Sequence, residues 1–161
     1  MLSCIRRPIL VLGLLACSSS QTTAATTGTA TVNGTIDGNT FSAADAGAIV
    51  RGSTAVITIA NVAGICSTLE SDAAERDDST LTISVLATGE GAVTASSYSI
   101  GSGAASLAYG INTPTQSAFG NSQNGTVVLT AVSASHLTGT FDATLASGDH
   151  ITGSFSAGVC D

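Results

Sequence analysis

Between His136 and Ala157 the chain spells one eight-residue pattern twice: His-Leu-Thr-Gly-Thr-Phe-Asp-Ala from His136, and His-Ile-Thr-Gly-Ser-Phe-Ser-Ala from His150. In the first copy Leu137, Gly139, Phe141, Ala143 and Leu145 are apolar or small, and Thr138, Thr140, Asp142 and Thr144 between them are polar. The second copy keeps this parity, with Ile151, Gly153, Phe155, Ala157 and Val159 set against Thr152, Ser154 and Ser156. Side chains alternate across a strand, so a period of two sends one set to a core and the other to water. Ser147-Gly148-Asp149 between the copies is turn chemistry. The copies therefore read as two arms of one antiparallel hairpin. Only a loop with an odd number of residues puts both apolar sets on the same face. A three-residue loop at 147–149 pairs Leu145 with Ile151, Ala143 with Gly153, Phe141 with Phe155 and Leu137 with Val159. A five-residue loop keeps the same face.

The rest of the chain carries similar, weaker signals. Thr29 to Ile36 alternates and is followed by Asp37-Gly38, a hairpin turn pair, and Thr40-Phe41. Ala55 to Ala60 reads as a buried strand. Leu81, Ile83 and Val85 alternate with Thr82 and Ser84, and Tyr98 and Ile100 with Ser97 and Ser99. Leu107 and Tyr109 form a short run, and Val127 to Val132 follows the turn pair Asn124-Gly125. Ala43 to Val50 fits either a strand or a helical turn. The expected fold is all-β: an antiparallel barrel or sandwich of eight to nine short strands. Glycines within strands, such as Gly139 and Gly153, suit a sheet that bends or closes.

Lys and Trp are absent. Arg6 and Arg7 stand in the first seventeen residues, and beyond them only Arg51 and Arg76 face eleven acids, a net charge of −9. Such a chain repels phosphate backbones, so nucleic acid is not an expected partner.

Residues 1–16 place Arg6-Arg7 before an apolar run, Ile9 to Ala16, far short of the ~20 residues a spanning helix needs. This is the pattern of a signal peptide. At its end, Leu14-Leu15-Ala16-Cys17 resembles the lipobox of bacterial lipoproteins. That resemblance implies cleavage after Ala16 and acyl chains on Cys17, which would hold the protein to a membrane stably once two or more are present. Ser18 after the lipidated position implies, by the same resemblance, transport to the outer membrane of the bacterial cell envelope. An ordinary secretory leader cut within Thr22-Thr23-Ala24-Ala25 is the competing reading. Arg6-Arg7 also has a superficial likeness to a twin-arginine signal, with poorly matching surroundings. Residues 17–27 then form a lipidated cysteine and flexible linker, and 28–161 the β domain.

Two cysteines remain in an exported chain, Cys66 and Cys160, which implies one disulfide. A metal pair or two buried thiols are the alternatives. Ser67-Thr68-Leu69-Glu70 fits a capping box, and Asp72 to Arg76 fits two helical turns. The acids from Glu70 to Asp78 lack the alternating ligand order of a calcium loop, with Ala74 at a ligand position. His136 and His150 sit at opposite ends of one strand length, roughly 30 Å apart, too far to share a metal or a proton. The chain has no nucleophile elbow, zinc-protease helix motif or phosphate-binding loop, so neither an enzyme nor a cofactor is expected. The domain is similar to small exported lipoproteins of unknown function in three features: Gly34-x-x-x-Gly38-x-x-Phe41, the mid-chain Cys66, and Gly153-x-Phe155-x-Ala157-x-x-Cys160. The expected function is a structural or binding module held to a membrane. The alternative is a lipocalin-like carrier, with inward Ala and Gly leaving room for a small apolar ligand.

Overall fold

The computed structural model describes residues 27–70, 78–89, 91–113 and 115–160. Among these residues the chain forms ten strands and one short helix. The strands are β1 (Thr29–Ile36), β2 (Asn39–Thr40), β3 (Asp45–Arg51), β4 (Thr54–Ala60), β5 (Thr80–Leu86) and β6 (Ser97–Ile100). They continue as β7 (Ala105–Thr113), β8 (Gln116–Val132), β9 (His136–Leu145) and β10 (His150–Val159), and the helix α1 spans Ile65–Glu70.

All ten strands belong to one sheet, and it closes on itself. The circuit runs β10–β3–β4–β5–β7–β8–β9 and back to β10. β1 covers β10 from Ile151 to Ser156, and β3 takes over the same edge at Gly158 and Val159. β6 fills the opening where β8 leaves β7. The fold is all-β and ring-like, as the alternation demands, but it is not purely antiparallel. β10 pairs with β3 in parallel, and so does β6 with β7 at Ile100 and Ala105. The ambiguous Ala43–Val50 stretch is mostly strand β3.

The C-terminal hairpin keeps the parity read from its sequence and shifts its register by two residues. Phe141 lies opposite Gly153, Gly139 opposite Phe155, and Leu137 opposite Ala157. The loop is Ala146-Ser147-Gly148, closed by Leu145 N–H to the Asp149 carbonyl at 2.8 Å and Gly148 N–H to the Leu145 carbonyl at 3.0 Å. Gly148 thereby takes the last loop position at φ 93°, where a bulged three-residue turn needs a left-handed residue. The 147–149 loop would have put it in the middle.

The shifted register also explains the doubled glycine. A β-carbon at Gly139 would lie 2.8 Å from Cζ of Phe155, and one at Gly153 would collide with the Phe141 ring. Each phenyl ring of the repeat occupies the space left by the other copy's glycine. Tyr109 does the same over Gly120 in the β7–β8 pair. Gly153 also abuts the Thr31 carbonyl oxygen of β1, so a methyl group there meets backbone as well as ring. Gly153→Ala should therefore cost about 2–3 kcal/mol, read as a lower urea midpoint at unchanged slope.

Asn124-Gly125 is not a turn. β8 runs straight through it, with a register irregularity between Ser122 and Asn124 and Gly125 at φ 143°. An extra residue bends a strand. Here the bend lets β8 pair with β7 below it and with β6 above it.

Inside the ring, Ile57, Ile59, Leu81, Ile83, Leu107, Leu129, Leu137, Leu145 and Ile151 are fully buried. They are the inward residues of β4, β5 and β7–β10, drawn from the alternating sets. One carboxylate joins the elements at the seam. Asp45, 4 % exposed, accepts Gly28 N–H at 3.0 Å and Ala46 N–H at 2.8 Å on one oxygen. Its other oxygen accepts Gly64 N–H at 2.8 Å and Ile65 N–H at 3.1 Å. It ties the entry to β1, the start of β3 and the first turn of α1. The helix thus begins at Ile65, whose N–H, without a partner inside the helix, is met from outside. Ser67 is not its cap: it lies within the helix, and its hydroxyl donates to the Gly64 carbonyl at 2.7 Å.

Cys66 and Cys160 form a disulfide, S–S 2.00 Å, which packs on Gly47. It lies across the β10–β3 junction, where only Gly158–Gly47 and Val159–Ala48 are paired.

Candidate functional site

Cys17, the residue on which the lipid anchor rests, lies outside the described residues. So do the signal sequence and the acids from Asp72 to Asp77, with their helical and calcium readings. The two histidines are where the hairpin puts them, at opposite ends of β9 and β10. His150 Nε2 lies 2.8 Å from Asp142 Oδ1 on the exposed face, a pair worth little to stability in water. The space over Gly139 and Gly153 is taken by the Phe155 and Phe141 rings.

One end of the ring is organised differently from the sequence-based expectation. The β1–β2 turn, Asp37-Gly38, bends over it and is held by side chains from two other hairpins. Tyr109 Oη of β7 donates to Asp37 Oδ2 at 3.0 Å. Asp149, beside the β9–β10 loop, accepts Asp37 N–H at 2.7 Å and the Thr35 hydroxyl at 3.2 Å. Ser147 donates to the same Asp149 carboxylate at 3.0 Å. Burial, and then the neighbouring Asp37 carboxylate, push the Tyr109 phenol above its ordinary range. The Asp149 carboxyl is held below its ordinary value by Ser147 first, despite an opposing desolvation effect, with Asp37 N–H and Thr35 adding to it.

The sign for Asp149 follows directly. A carboxyl whose folded pKa is depressed stabilises the fold above the ordinary value of 3.8 and loses that contribution as pH falls through the folded value. Asp149→Asn should lower the urea midpoint at pH 7, and the gap from the parent protein should narrow as pH drops below about 4. An equal gap at both pH values would show that Asp149 acts through shape alone.

Beside this latch is an open cleft of about 240 Å³. Its floor is Ile36, Phe41 and Ile111, and its rim carries Asn39, Asn61 and Gln116 together with small hydroxyl residues. These residues stand in or beside β2 and at the ends of β1, β4, β5, β7 and β8, so the cleft is at the mouth of the ring. Sequence reasoning placed Ile36, Thr40 and Phe41 around a hairpin turn but gave none of these residues a binding role. The nearest signal was Asp37-Gly38, which fixed a turn without showing what the turn leans on.

The molecule thus belongs to the class of all-β proteins with a single mixed sheet closed in a ring and a small mouth cleft. Comparison with models of known families, with curated proteins and with solved structures found no match.

Proposed function

We propose that the chain is a non-enzymatic lipoprotein of the bacterial envelope, a small β-barrel tethered by acyl chains on Cys17 and serving as a structural or binding module. The leader through Ala16 is removed, residues 18–27 act as the tether, and the outer membrane is the destination. The observation that carries this reading is the Cys66–Cys160 disulfide at the ring seam. Disulfides persist in oxidising compartments outside the cytosol, so a fold clamped by one is suited to export, and Leu14-Leu15-Ala16-Cys17 supplies the route. The net charge of −9 beyond the leader keeps the domain away from anionic surfaces, which suits attachment by lipid rather than by charge.

The test is Cys17→Ser. The parent protein should incorporate labelled fatty acid and sediment with membranes. The variant should take up no label and leave the membrane pellet. Label retained by the variant would overturn the assignment.

A further inference from the structure

We propose that the mouth cleft binds a neutral, polyhydroxylated ring: a single unit of an uncharged carbohydrate. The inference rests on the binding half of the function proposed above and names the ligand class.

Size comes first. At about 240 Å³ the cleft is below the ~300–1,000 Å³ of pockets for drug-sized molecules. It takes one ring, not a lipid or a folded peptide. Charge comes second. Among the described residues no charged side chain lines it, so a bound ion would have no partner among them. The Asp37 and Asp149 carboxylates of the neighbouring latch further disfavour an anion.

The hydrogen-bonding groups come third, and two of them are already oriented. The Asn61 carboxamide oxygen accepts Ser79 N–H at 2.9 Å. Its amino group is therefore what this side chain can offer a ligand. The Asn39 amino group donates to the Asp37 carbonyl at 2.9 Å, so Asn39 offers its oxygen. One donor and one acceptor, each set by a backbone contact, thus flank a floor of Ile36, Phe41 and Ile111. Thr40 and Ser42 add hydroxyls, which both give and accept. A sugar ring has this chemistry: hydroxyls around its edge, each a donor and an acceptor, and C–H groups on its face. An apolar molecule would leave the carboxamides unpaired, at a cost. A linear polyol would lose more rotational freedom on binding.

The experiment is a titration of the full lipidated chain in detergent micelles, followed by amide nitrogen–proton correlation spectra. The probes are glucose and N-acetylglucosamine, with glucuronate as the anionic counterpart. At least one neutral sugar should give saturable shifts at Asn39, Asn61 and their neighbours, with Kd about 1–10 mM. Glucuronate should bind at least tenfold more weakly. Asn61→Leu should weaken binding at least tenfold. Because Asn61 also holds Ser79, Asn39→Ala on the exposed β2 gives a second reading with little risk to folding, and should weaken binding about fivefold or more. The proposal is overturned if neither neutral sugar saturates, if glucuronate binds as well as they do, or if a folded Asn39→Ala protein binds unchanged. Failure here leaves the acyl chains on Cys17 untouched, and a missing acyl chain would not move these shifts. The two proposals therefore fail separately.

Discussion

Asp45→Ala will destabilise the fold by about 4 kcal/mol. The reasoning counts donors. The carboxylate receives four backbone N–H groups, from Gly28, Ala46, Gly64 and Ile65. Buried donors left without partners cost about 1–3 kcal/mol each, and water entering the space recovers part of that sum. The three segments involved share no strand ladder with one another. Gly28 leads into β1, whose ladder is with β10, and α1 touches the sheet mainly through β3 and β4. Asp45→Asn should recover little. Its amino group would face N–H donors where an oxygen now accepts, so one pair stays unmet. Thermal unfolding followed by circular dichroism should show Tm lower by on the order of 10 °C for either variant. A loss under about 1 kcal/mol for Asp45→Ala would mean that these segments are held by packing alone.

The second large effect concerns the seam. The double variant Cys66→Ala/Cys160→Ala should lose about 4–5 kcal/mol, because the cross-link closes a loop of 94 residues in the unfolded chain. That is a large part of the ~5–15 kcal/mol that holds a typical domain. The location adds a second, spatial consequence. Every other junction of the circuit is a ladder of six or more paired positions, whereas β10 meets β3 through two. Among the described residues the one further backbone bond there is Cys160 N–H to the Ala48 carbonyl, 2.8 Å. Without the disulfide the ring should open first at this point. Hydrogen exchange should accelerate at Val159 and Cys160 before it does at Ile57 or Ile83 in the β4–β5 ladder. Uniform acceleration along all strands would show that the bond stabilises only through the unfolded chain.

The alternation of apolar and polar residues made the fold class readable, and the parity of the C-terminal repeat placed the right side chains inside. Its register was off by two because alternation is indifferent to a shift of two. Turn chemistry is not indifferent: Gly148 belongs at the end of a bulged loop, and weighing that above the symmetry of Phe141 against Phe155 would have selected the observed pairing. The glycine-over-phenyl fit was also present as residue types, since each copy has one of each. The parallel seam had no such trace. A contact of two residues between Gly47-Ala48 and Gly158-Val159, more than a hundred positions apart, leaves no local pattern. Asp45 was equally silent, a single acid among alanines, and its role exists only once three backbone segments converge. Asn124-Gly125 carried a real signal of the wrong kind. Gly125 does adopt a conformation that suits glycine, but as a bend within β8. The cleft was unreadable because its walls come from six strands brought together by ring closure.

The most direct test of the account as a whole is the intact mass of the mature protein purified from membranes without reductant. The predicted species begins at Cys17, carries the added mass of a diacylglycerol with or without a further acyl chain, and lacks two hydrogens for the Cys66–Cys160 bond. A species that keeps residues 1–16, or one cut further along with no lipid mass, would contradict it.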